Sequence, residues 1–353
     1  MEMPGLQASR ARFLRICLLL LSVLASVSWS QKISSENVSS KTADHASENK
    51  GSALDATKED WSLLSLANSK LHASTPLLGE KDSYPDFSRE LLQVQWRTGD
   101  PIDLYVILPK GVTNPPVILY LYSYPSDTNI FQDRDFCTLL TKNGFAAVGF
   151  VSALTGHRYH DRPMREWFIS ELQESLVTSV HDVQMILDYL ATRSDLDMNR
   201  VGMFGEGSGA TIAILAATVE PRLKVLDLLD PWGDWPAWLT KSTLIPKEER
   251  ANYLRSDFLK KVEPLDPVKQ LPGLRSQTVR LQDALYEKVT PSSAKKRIEK
   301  SLSASAHIVR YRNSRALENA ASGGEFFDWV KEQVRIIAAD RLTRQIEIGT
   351  RGQ

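Results

Sequence analysis

The chain predicts an α/β fold built on a mostly parallel sheet, and three observations carry that expectation. Short apolar runs of strand length alternate with helical patterns from about Leu91 onward. PPVILYLYSYP and GFAAVGFVSA are apolar without interruption, as strands covered on both faces must be. The hydrophobic fraction, 42% of 353 residues, supplies apolar surface for a large core.

Taken in order, LLQVQWRT and IDLYVILP read as two strands joined at Gly99-Asp100-Pro101. After the first buried strand, Asp133 to Asn143 reads as helix, with Cys137 as a small buried hydrophobe. Trp167 to Ala191 places Leu172, Leu176, Val180, Val183 and Leu187 on one helical face. Asn199 to Phe204 is a strand that turns sharply at Gly205 into the helix ATIAILAATV. LKVLDLLD, QTVRLQD and AHIVRYR supply three more strands, and EFFDWVKEQVRIIAAD the closing helix. The Trp- and Pro-rich stretch 231–273 is expected as a cap above the carboxyl ends of the strands.

The N-terminus has a different texture. Arg10, Arg12 and Arg15 precede the apolar run Ile16–Leu24 and the small residues Ala25, Ser26 and Ser28. That order predicts a secretory signal peptide over 1–30 and an exported protein. The run is short of the ~20 apolar residues a membrane span needs. Residues 31–83 are rich in Ser, Lys, Glu, Asp and Ala and read as a flexible lead-in, with a short helix expected in WSLLSLANSKL. The main domain is then expected over 84–345. Lys+Arg and Asp+Glu balance at 43 each, and no basic patch carries interleaved aromatics, which argues against a nucleic-acid partner.

The block RVGMFGEGSGATIAILAA (Arg200–Ala217) resembles the strand, nucleophile elbow and helix of the α/β-hydrolase superfamily. Its texture is nearest to the dienelactone-hydrolase and prolyl-oligopeptidase-like branches. The resemblance covers roughly Leu91 to Ala339 and implies hydrolysis of an ester or peptide-like bond in a small molecule or peptide, without a cofactor. Setting Gly205 and Gly209 on the outer glycines of G-x-nucleophile-x-G puts Gly207 in the nucleophile slot. The rival frame takes Ser208 as nucleophile but places Glu206 where the turn needs a small residue. Ser208 would otherwise cap the following helix.

The family's acid follows a late strand, where Glu287 fits best, Asp283 is a weaker choice, and Asp230 stands after the preceding strand. The histidine slot before the last helix falls on Gly323, Gly324 or Glu325, so the triad reads as degenerate. His157 or His160 could act as a relocated base and Arg158 could bind a carboxylate, all within TGHRYHDRPMREW. The alternative is a hydrogen-bonded loop packing on the cap. His157 and His160 also stand three residues apart, yet no Asp/Glu/His set completes a metal spacing. Tyr122 and Ser123 occupy the oxyanion loop, and Trp232, Trp235 and Trp238 could line an apolar pocket or pack the cap. Two functions follow: a hydrolase with a nonstandard site, or a catalytically inactive protein using the retained scaffold for binding.

Overall fold

A mixed sheet sits between two sets of helices, in a computed structural model that describes residues 59–97, 100–154, 169–274, 277–323 and 326–337. Among these residues the strands are β1 (Leu77–Ser83), β2 (Phe87–Val94), β3 (Ile102–Pro109), β4 (Pro116–Leu121), β5 (Ala146–Gly149), β6 (Asp197–Glu206), β7 (Leu223–Leu229), β8 (Thr278–Ala284) and β9 (His307–Tyr311). Their spatial order is β1-β2-β3-β5-β4-β6-β7-β8-β9. The pairs from β1 to β5 are antiparallel, whereas β5-β4 and every pair from there to β9 are parallel.

The main helices are α1 (Arg134–Thr141), α2 (Leu172–Ala191) and α3 (Ser208–Val219), followed in the 231–273 stretch by α4 (Trp235–Lys241), α5 (Arg250–Tyr253), α6 (Ser256–Val262) and α7 (Pro267–Gln270). Then come α8 (Ser292–Ser301), α9 (Ser314–Gly323) and a last helix, α10, over 326–337. Asp133 starts α1 as predicted, its carboxylate accepting from the Phe136 amide at 2.8 Å.

β4 shows why the unbroken apolar run reads as it does. Val117, Leu119 and Leu121 face one core with α2 and α3, while Ile118, Tyr120 and Tyr122 face the other with α1 and α10. Successive side chains on a strand point to opposite faces, so a central strand must be apolar at every position. Each large aliphatic or Phe side chain so buried contributes roughly 1.5–3 kcal/mol. Cys137 lies in the second core, where burial pushes its thiol up to about 11, as befits an inert side chain.

Two sequence expectations need correction. The lead-in was expected to run to Ser83, yet residues 77–83 form β1, an edge strand paired with β2, and Trp61, Leu64, Leu66 and Leu71 pack on the core. WSLLSLANSKL forms turns rather than a helix, because its apolar residues are drawn onto the body instead of onto one helical face. The 231–273 stretch is also less of a cap than expected. Its helices pack against α2, α3 and α8, and Trp235, Trp238, Leu239 and Ile245 are buried in the core they share. The signal-peptide segment and the His157–Arg162 loop lie outside the described residues, and α2 is described only from Leu172.

The carboxyl-side half of the sheet is tied by a buried polar network. Arg280 donates to both oxygens of Asp227, at 2.8 and 2.6 Å, and to the Phe326 carbonyl at 2.6 Å. Gln282 donates to Asp227 at 2.8 Å and accepts from the Tyr311 hydroxyl at 2.6 Å, so β7, β8, β9 and α10 share one cluster. Removing one partner of such a pair strands the other charge. Arg280→Met alone should therefore destabilise the protein by about 3–5 kcal/mol in urea unfolding. The double variant Asp227→Leu with Arg280→Met should recover most of that loss; equal losses in both would refute the pairing argument.

Candidate active site

β6 delivers Gly205 beside Leu121 of β4, and the chain then turns directly into α3. The turn is possible only because three side chains are missing. A Cβ on Gly209 would stand 2.0 Å from the Leu121 carbonyl oxygen, and one on Gly205 would stand 2.6 Å from the backbone of Ala210. Both obstacles are backbone, so neither can move aside. Between them Gly207 holds φ 51° and ψ −114°, a conformation that residues with a Cβ rarely adopt. This is the strained point of an elbow, so the frame with Gly207 in the nucleophile slot is the one the backbone follows.

Ser208 is engaged within the protein. It is fully buried, and its hydroxyl oxygen accepts from the Tyr124 amide at 2.8 Å. Nor does it cap α3, which starts with no side-chain cap. Its own amide donates to the Ser123 hydroxyl at 3.3 Å. In an elbow the amide following the nucleophile and an amide of the loop after the preceding strand hold the oxyanion. Here the Ser208 and Tyr124 amides already donate within the protein.

Ser123 also fills the space over Gly207. A Cβ there would lie 2.3 Å from the Ser123 Oγ, 2.8 Å from its Cβ and 3.0 Å from Trp232 Nε1. Beside this contact lies a cavity of about 30 Å³, room for one or two waters. Its walls include Ser123, Glu206, Trp232, Tyr286, Glu287 and Leu317. Ser123 and Trp232 thus line the cavity, but not every residue of the sequence-predicted site does. Tyr122 does not: its ring packs among Phe131, Phe136 and Phe204, because it falls on the other face of the strand. Trp235 is likewise buried edge-on against Trp238 and does not line the cavity.

Asp230 and Glu287 line the cavity, and no histidine among the described residues does. Asp230 sits in the cavity wall at φ 46°, accepts from the Ala284 amide at 3.1 Å, and is paired with Lys295. Burial pushes its carboxyl up to about 7, with Lys295 pulling the other way. Glu287 also lines the cavity, its carboxylate accepting from the Val289 amide at 3.0 Å. Asp283 is pushed up by burial to about 6. Burial, then the nearby Asp230 and Glu287, push Glu206 up to about 8. Sequence reasoning missed Glu206 as a half-buried acid of the cavity wall and Lys295 as the partner of Asp230. Position beside the elbow could have flagged the first; Lys295, in the charged helix SAKKRIEK, carried no signal.

Among the described residues, His72, His181 and His307 all lie away from the cavity walls. His307 begins β9, at the opposite end of the strand from the elbow, and stacks on Trp329. The carboxyl edge of β9 is followed at once by Arg312, Asn313 and α9, so Gly323 lies a whole helix beyond the strand end. No residue after His307 is a histidine in either place. His157, His160 and Arg158 lie outside the described residues.

The fold resembles those of several solved structures. Acetyl xylan esterase 1 from Thermoanaerobacterium sp. JW/SL YS485 superposes with a TM-score of 0.55 at 16% identity, over 68% of this chain and 82% of that one. The acetyl xylan esterase of Paenibacillus sp. R4 gives 0.54 at 18%, over 69% and 83%. Pyrococcus horikoshii acylaminoacyl peptidase gives 0.52 at 13%, over 72% of this chain and 50% of that one. The chain has the α/β-hydrolase fold. No family model matches the sequence, and no curated protein matches it. The α/β-hydrolase resemblance of the elbow block is thus borne out in the fold. No helix among the described residues is long and apolar enough to cross a membrane.

Two measurements test this reading of the site. Gly207→Ala should cost about 1–3 kcal/mol, and Ser123→Gly should relieve part of that loss in a double-mutant cycle. Additive losses would mean Ser123 does not fill the slot. Glu206→Gln should match the parent in acid, where both folded and unfolded carboxyls are protonated. As pH rises above the ordinary carboxylate range the unfolded carboxyl ionises first, so the parent loses stability until the folded group ionises near pH 8. The variant, lacking that loss, should be increasingly the more stable of the two across this interval.

Proposed function

We propose that this chain is a catalytically inactive member of the α/β-hydrolase fold, exported from the cell, whose scaffold serves binding rather than bond cleavage. The observation that carries the reading is Gly207 in the nucleophile slot with Ser123 packed over it. Three further features support it. The Ser208 and Tyr124 amides have internal partners, the cavity is only about 30 Å³, and no described histidine lines it. Acyl transfer by a serine needs a nucleophile, a base and oxyanion donors together.

The second reading is hydrolysis of an ester or peptide-like bond through a nonstandard site. Its support is the fold shared with acetyl xylan esterases and acylaminoacyl peptidase. In that case the attacking hydroxyl would come from Ser123, which lines the cavity, or from Ser208 after rearrangement, with His157 or His160 as base. A fluorophosphonate probe and a panel of acetyl esters and aminoacyl peptides separate the two. The inactive reading expects no labelling and no turnover above background. Labelling abolished by Ser123→Ala or Ser208→Ala would overturn it.

Export is supported by the basic head, apolar run and small-residue exit over 1–30. Expressed in full with a C-terminal tag, the protein should be recovered outside the cytoplasm with a new N-terminus near Ser28 or Ser30. An intact Met1 in the cytoplasmic fraction would count against it.

A further inference from the structure

The segment ahead of β1 is a strap held onto one face of α2. Residues 59–76 form neither helix nor strand, yet side chains of α2 bind their backbone in sequence. Gln173 donates to the Trp61 carbonyl at 3.3 Å, and Gln184 donates to the Leu64 carbonyl at 2.8 Å while accepting from the Leu66 amide at 3.0 Å. His181, on the same face, meets the Leu63 carbonyl through Nε2 at 2.8 Å and Glu59 through Nδ1.

We propose that His181, held between the Glu59 carboxylate and the Leu63 carbonyl, is a proton-dependent clasp that seats this strap on the domain. This assignment stands independently of whether the elbow is catalytic. A backbone carbonyl can only accept, and an ionised carboxylate can only accept. Both ring nitrogens therefore need a proton, and only the imidazolium supplies two donors. Glu59 is ionised in this setting. Burial pushes its carboxyl up, but hydrogen bonds from His181 and Arg97 outweigh that and hold it below its usual range.

The surrounding charges point the same way. From the strap, Glu59 faces His181, with exposed Asp60 beside it; from α2 itself comes Asp182. From the segment joining β2 to β3 come Arg97 and Asp100. Arg97 binds Glu59 at 2.5 and 2.8 Å, contacts Asp182, and lies 3.6 Å from Asp100. With the imidazolium in place, His181 and Arg97 both face Glu59. Without its proton, one of the two acceptors loses its donor in a buried site.

The sign follows from linkage. The seated strap offers the imidazolium two acceptors that the released strap does not, so seating takes up a proton. Seating is favoured where the ring holds both protons and weakens as pH rises and one is released. Glu59 acts in the opposite sense: its ionised form is needed, so seating also weakens as pH falls through the lowered range of that carboxyl.

Hydrogen exchange by mass spectrometry on the full chain tests the clasp, from about pH 5.5 to about pH 8.5, with rates corrected for intrinsic exchange. Protection of the peptide 61–71 should fall at least about tenfold across that range. In His181→Gln it should be lower at the acid end and independent of pH, while peptides from α3 exchange identically in both proteins. Glu59→Gln should weaken protection at the acid end as well, and serves if the first variant folds poorly. Imidazole nitrogen NMR of the unmodified protein gives a variant-free reading: both His181 nitrogens should be protonated near pH 5.5. A neutral tautomer there, pH-independent protection in the parent, or the same pH dependence in His181→Gln would overturn the proposal.

Discussion

One close approach organises the centre of this molecule: the first turn of α3 lies against the Leu121 carbonyl, where a Cβ on Gly209 would stand 2.0 Å away. That contact locks the start of α3 to β4, while Gly205, paired with Leu121, lets β6 pass directly beneath the helix. Because β4 and β6 are central and buried on both faces, every neighbouring strand takes its register from them. The elbow is therefore a packing requirement of the fold as well as a place for chemistry. It can be retained when the chemistry is not, since the glycines that shape it are constrained by backbone contacts and not by a reacting group.

The filling of the elbow follows the same close packing. The slot that a nucleophile would take is occupied from the side by Ser123, and the Ser208 and Tyr124 amides are paired with serine hydroxyls. A buried amide left without a partner costs about 1–3 kcal/mol, so such internal pairing stabilises the turn. The same logic applies to the acids. Asp230 is neutralised by Lys295, and Glu206 is held largely protonated by burial beside other carboxyls. Each arrangement satisfies a polar group within the protein.

Polar groups at the N-terminal side follow a different rule. The strap is bound mainly through its backbone, by Gln173, His181 and Gln184, so its own sequence is lightly constrained except at Glu59 and at the apolar residues it buries. This explains why the segment looks like a low-complexity lead-in and yet is fixed on α2. Backbone carbonyls and amides are present in any sequence, and only the side chains of α2 reveal what they hold.

The sequence alone determined the order of the strands from β2 onward, the elbow and its glycines, and the absence of a histidine after β9. Periodicity, close-packed turns and missing side chains are local properties, written directly in neighbouring residues. It could not choose between Gly207 and Ser208, because that choice lies in φ and ψ and in the carbonyl of a strand over eighty positions earlier. Tertiary structure alone decided that Ser123 fills the slot, that Tyr122 and Trp235 turn into the core, that Lys295 meets Asp230, and that Glu59 meets His181. Those are contacts between distant segments, and one residue's shift along a strand sends a side chain to the opposite face.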